Sequence, residues 1–104
     1  MIKHYLLTIP LAGENLHGYV MTNDKRCVEA VLDKMFDELI PMTGNRMALP
    51  MVLQTELGDA AGVVRDIIAA DPQMRECLLA AKDFHFSVFS TRDPILDRRL
   101  MELH

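Results

Sequence analysis

The sequence holds only two cysteines, Cys27 and Cys77, and they do not form a CxxC pair. That excludes a zinc ribbon and a thioredoxin-type redox motif. Basic charge is also short: 11 Lys and Arg stand against 15 Asp and Glu, a formal net charge of −4. Nucleic-acid binders draw much of their affinity from neutralising phosphates and carry a basic footprint. Direct nucleic-acid binding is therefore not expected. The one basic knot, Arg92, Arg98 and Arg99, is diluted by Asp93, Asp97 and Glu102. Long apolar runs are missing too. The opening stretch MIKHYLLTIPLAGEN is interrupted by His4 and Thr8 and then by Pro10. It is too short for a signal or membrane segment. The default that follows is a cytoplasmic protein with reduced thiols, away from membranes. No GxGxxG, P-loop, HExxH, GxSxG or calcium-loop pattern occurs, so no cofactor and no metal are expected. Internal repeats, linkers and low-complexity tracts are absent as well.

What is present suits one globular domain over residues 1–104. Half the residues are hydrophobic and a quarter are charged. A chain of this length buries roughly two-thirds of its unfolded surface, enough for one core without staples. That apolar stock offsets chain entropy and argues against disorder.

The patterning predicts an α+β fold. Residues 2–11 and 16–22 alternate in part and flank the turn signal AGEN, which reads as a hairpin with a four-residue loop. The expected register sets Leu11 against Leu16, Ile9 against Gly18 and Leu7 against Val20. Residues 22–40 give the clearest helix, with Val28, Val31, Leu32, Met35 and Leu39 at helical spacing. Thr22, Asn23 or Asp24 can cap it, and Pro41 and Gly44 should end it.

The stretch PMTGNRMALPMVLQTEL holds three of the eight methionines. Over 47–57 the odd positions are Met47, Leu49, Met51, Leu53, Thr55 and Leu57, so apolar side chains alternate with polar ones. That pattern predicts a half-buried strand with Met47 and Met51 pointing inward. A short helix starting at Pro50 is the rival reading.

Residues 58–70 read as a helix with Asp59 as cap. Residues 72–84, PQMRECLLAAKDF, read as another, begun by Asp71-Pro72. FHFSVFS, 84–90, reads as a strand. Asp93-Pro94 starts a last helix carrying Leu96, Leu100 and Leu103. The sum is a mainly antiparallel sheet of three to four strands: the N-terminal hairpin, the strand near 47–57 and the strand near 84–90. Three to four helices pack on it, grouped on one face.

The candidate functional residues are few. Glu29, Asp33, Asp37 and Glu38 form an acidic side of the first helix, and Met42 sits on the loop after it. Methionine adapts to varied surfaces. These five residues are the expected contact for a protein partner. The expected function is thus a small acidic, non-enzymatic binding module: an accessory, adaptor or inhibitor, with a nucleic-acid-handling enzyme as one partner type. A homodimer across a sheet edge fits the same logic, because edges must be covered or paired.

Two other function classes stay open. A small enzyme would use His85 with Ser87, two residues apart on one strand face, or Cys27, whose thiol lies at a helix start after Lys25 and Arg26. A DNA-binding regulator would use the three C-terminal arginines. His4 and His17 share a face of the hairpin but lie too far apart for one metal. His104, the last residue, is expected to be mobile.

Overall fold

The fold is described from a computed structural model, for residues 1–11, 15–43, 51–70, 78–81, 84–90 and 93–104, with the side chains of 40–43, 78–81 and 84 left aside. It is an α+β fold built on an antiparallel sheet. The strands are β1 (Lys3–Pro10), β2 (Asn15–Thr22), β3 (Leu53–Glu56), β4 (Leu78–Ala81) and β5 (Phe84–Ser90), in the spatial order β3-β1-β2-β5-β4. The helices are α1 (Arg26–Thr43), α2 (Ala61–Ala70), entered through a 3-10 turn at Gly58–Ala60, and α3 (Pro94–Met101).

The helices lie on both faces of the sheet, not on one. On the first face α1 buries Val28, Val31 and Met35 against Tyr5, Leu7, Ile9, Leu16, Val20 and Phe86. On the second face α2 and α3 bury Val64, Ile67, Ile68 and Leu100 against Leu6, Tyr19 and Phe89. This explains the weak alternation of the first two strands. Tyr5 through Ile9 are all buried, and so are Leu16 through Val20, because both sides of each strand are covered. A strand buried on both sides reads as a near-continuous apolar run.

The hairpin forms, but its register differs by two residues from the expected one. Ile9 faces Leu16, Leu7 faces Gly18 and Tyr5 faces Val20. Side-chain facing has period two, so a two-residue shift keeps every residue on its expected face. That is why the apolar pattern could not detect it. Gly18 has a local reason: a Cβ there would stand 2.6 Å from Met35 Sδ, so glycine lets α1 approach β2.

Three further elements differ in extent or type from the sequence reading, the first of them a strand as expected but shorter. Leu53–Glu56 is a strand, paired with β1 from Thr8↔Leu53 to Tyr5↔Glu56. From Leu53 to Leu57 the alternation holds, with Gln54 and Glu56 exposed and Leu57 buried. Met51, however, is 66% exposed instead of inward. Pairing has stopped by that level, where β1 reaches Pro10, a residue with no N–H for another strand. Met47 lies outside the described residues. Second, Leu78–Ala81 is a strand, not part of a helix over 72–84; it pairs with β5 from Leu78↔Ser87 to Ala81↔Phe84. Leu and Ala favour helices locally, and tertiary pairing overrides that weak preference. This adds a short outer strand to the sheet; residues 72–77 and Cys77 lie outside the described part. Third, α1 runs past Pro41 to Thr43. A proline there lacks the N–H that would reach the Asp37 carbonyl, so the last turn keeps one hydrogen bond fewer.

The helix starts follow their chemistry. Asp24 caps α1, its Oδ1 accepting from the Arg26 backbone N–H at 3.0 Å. Asp93 caps α3 by accepting from Ile95 N–H at 2.9 Å, with Pro94 next. Asp59 is not a cap; it sits inside the 3-10 turn, and Gly58 at φ 53° turns the chain into it.

Candidate functional site

Two surfaces and one buried cluster carry the polar chemistry. The first surface is the outer side of α1. The inward stripe of Val28, Val31, Met35 and Leu39 is buried, and the helix period then turns Glu29, Asp33, Asp37 and Glu38 outward; all four are exposed. Lys25 and Lys34 flank them and are exposed too. At the first turn of α1 a cavity of about 400 Å³ opens between the helix and β3, lined by Lys25, Arg26, Val28, Glu29 and Gln54. Arg26 is engaged beside it, donating to Asp24 through Nε and Nη2, and this guanidinium holds the Asp24 carboxyl below its usual range. Cys27 is a half-buried free thiol in the same turn. The Met42 side chain lies outside the described residues.

His85 and Ser87 do share the second sheet face. They stand in different environments. His85 is exposed, opposite Met21, whereas Ser87 is fully buried, opposite Tyr19. The Ser87 hydroxyl has no hydrogen-bond partner among the described residues. Arg98 and Arg99 are exposed on α3, and Arg92 lies outside the described residues.

The cluster, buried at Thr8 and His17 and open at its ends, is the feature that sequence reasoning missed. It lies on the second face, where β1, β2, β3 and the end of the chain meet. His17 is completely buried. Its Nε2 lies 2.6 Å from Asp97 Oδ1 on α3, and its Nδ1 lies 3.0 Å from Thr8 Oγ1, directly across the hairpin. Asn15 Nδ2 donates to the other Asp97 oxygen at 2.7 Å. Thr8 Oγ1 is also 2.8 Å from His104 Nε2, and His104 Nδ1 is 2.7 Å from Thr55 Oγ1 on β3. The Phe89 ring packs beside His17 with centroids 5.5 Å apart. His104 is exposed yet tied at both ring nitrogens, where a loose terminus was expected.

With both imidazoles neutral, one assignment satisfies every site. The Asp97 carboxylate only accepts, so His17 Nε2 must carry its proton. His17 Nδ1 is then bare and accepts from the Thr8 hydroxyl. Thr8 in turn accepts from His104 Nε2–H, and bare His104 Nδ1 accepts from the Thr55 hydroxyl. Burial lowers the His17 imidazole below its usual value, and the Asp97 hydrogen bond pulls the other way without reversing it. His104 is lowered by burial and then by the neighbouring His17 charge.

A second pair stands further along the same face. His4 Nδ1 and the Tyr19 hydroxyl are 2.5 Å apart. Burial and then the nearby Arg65 cation lower His4. Burial raises the Tyr19 phenol.

An acid, an imidazole and a hydroxyl in a row suggest nucleophilic catalysis. The arrangement here is closed: Thr8, the hydroxyl in that row, is 0% exposed and capped by His104. What the row does chemically is join α3 to β1, β2 and β3. Among the described residues no group of three or more His, Cys, Asp or Glu is placed to hold a metal ion. No helix among them is long and apolar enough to cross a membrane.

One signal in the sequence pointed to the cluster. Asp97 and His104 are seven residues apart and border the stripe Leu96, Leu100 and Leu103, the spacing of one helix side. The Thr8–His17 pair was hidden by the two-residue register shift, which set His17 opposite Pro10. Comparison with known proteins adds no identity: no protein-family model, no curated protein and no solved structure matches this chain.

Proposed function

We propose that this chain is a small acidic, non-enzymatic binding module that docks on a basic protein surface as an accessory, adaptor or inhibitor in the cytoplasm. The observation that carries this reading is the exposed row Glu29, Asp33, Asp37 and Glu38, held on a helix whose opposite side is anchored in the core. A rigid helix presents these carboxylates at fixed spacing, so less ordering entropy is lost on docking. Complementary charge steers encounter and sets specificity. The cavity beside Glu29 offers a recess for a partner side chain at the end of that row. A nucleic-acid-handling enzyme has the required basic surface. Self-association along a sheet edge is compatible with the same role.

The test is affinity capture with the intact protein and with the triple variant Glu29→Lys, Asp33→Lys, Asp37→Lys. All three positions are exposed, so the fold should survive, and circular dichroism checks that it does. The captured partner should be lost with the variant and weakened by raised salt. Equal capture by both proteins would rule out this surface as the contact.

A further inference from the structure

The row that joins Asp97, His17, Thr8, His104 and Thr55 has a fixed capacity for protons. In its neutral state each hydroxyl donates once and each ring nitrogen has one role. A first added proton finds its natural entry at His104 Nδ1, because Thr55 is the half-buried end and His17 is sealed. It need not stay there. His104 can pass its Nε2 proton to Thr8, and Thr8 can pass its own to His17 Nδ1. The three bonds beyond His17 then reverse direction, while His17 Nε2 still donates to Asp97: His17 donates to Thr8, Thr8 to His104 and His104 to Thr55. The charge ends on His17, against the Asp97 carboxylate, and each buried site is again satisfied.

A second proton has no such solution. Both imidazoles would be charged, and both would point an N–H at the single Thr8 oxygen. The Thr8 hydrogen would then be buried without an acceptor, at the cost of an unmade hydrogen bond. Two cations would also face each other across one hydroxyl. The exposed edge of His104 meets water, but His17 and the Thr8 oxygen do not. Among the described residues, the groups set against the row are Asn15 from β2 and Phe89 from β5, neither of which carries charge, and the carboxylate in contact with it is that of Asp97. His4 and Arg65 belong to the separate Tyr19 cluster.

We infer that this row is a proton-sensitive latch, which holds α3 on the sheet with one added proton or none and releases it with two. Its anchor on the helix is Asp97 and its anchor after the helix is His104, so the element freed is α3. The inference is independent of the docking role of α1.

The experiment is amide exchange on the intact protein at pH 7.5 and pH 5.0, with each rate corrected for the intrinsic pH dependence. Protection of the α3 amides should fall on the order of tenfold or more at the lower pH, the scale for a histidine that titrates only when released. Protection of α1 should fall less. In His104→Gln the side-chain amide still donates to Thr8 but cannot take the second proton, so α3 protection should change little between the two pH values. Unchanged α3 protection in the natural sequence, or an equal fall in His104→Gln, would overturn the latch. Should His104→Gln lack α3 protection already at pH 7.5, the ring signals of the natural sequence decide. Loss of α3 protection in step with the second imidazole supports the latch; full protection with both rings charged refutes it.

Discussion

The two faces of the sheet hold their helices by different physics. Under α1 the contact is mainly apolar among the described residues, from Leu7 and Val20 to Met35 and Phe86. Under α2 and α3 an apolar cluster of similar make-up is bordered by a polar row buried at its centre, and Ser87 adds a hydroxyl with no partner among the described residues. Apolar burial is non-directional and indifferent to pH. A hydrogen-bonded row demands fixed geometry and fixed protonation, and a broken member leaves its neighbours unsatisfied. The first face therefore supplies bulk stability, and the second supplies a contact that conditions can switch.

The largest expected effect lies on the first face. Leu7→Ala removes a fully buried side chain there and should cost about 2–5 kcal/mol in urea unfolding. The loss should be alike at pH 7.5 and pH 5.0; a strong pH dependence would blur the distinction between the faces.

Thr8→Val comes next. It keeps the shape and removes the hydroxyl that joins two imidazoles, so it should cost about 1–3 kcal/mol at neutral pH. Urea unfolding that shows no loss would mean that the row contributes shape alone.

The smallest effect has the opposite sign. Ser87→Ala deletes a buried hydroxyl without a partner among the described residues, and should be neutral or stabilising by up to about 1 kcal/mol in thermal unfolding. A clear loss of stability would reveal a hydrogen bond to Ser87.

The same contrast explains how much the sequence disclosed. The α+β class, the hairpin, α1 and its buried stripe, and the Asp93-Pro94 start of the last helix were all legible. Periodicity and caps encode them locally. The acidic side of α1 was legible for the same reason, as a face defined by one helix. The polar row was not. It draws residues from β1, β2, β3, α3 and the chain end, and only the true register brings His17 opposite Thr8. A hydrophobic pattern of period two cannot fix that register, because the expected and the observed pairing bury the same residues. Leu78–Ala81 escaped for a related reason: its side chains suit a helix, and only pairing with β5 makes it a strand. Met51 was misplaced because alternation does not say where pairing stops.

The two faces should also differ in acid. The folded state keeps His17 and His104 below their ordinary value, so it binds fewer protons than the unfolded chain near pH 6.5. Stability is then full above that range and is lost as pH falls through it. The most direct measurement is the titration of the His17 ring, followed by nuclear magnetic resonance in the intact protein. At neutral pH it should be neutral, with its proton on Nε2 toward Asp97, and it should charge only below the ordinary imidazole value. A His17 ring already doubly protonated at pH 7.5 would contradict the neutral row and leave α3 held by a permanent ion pair.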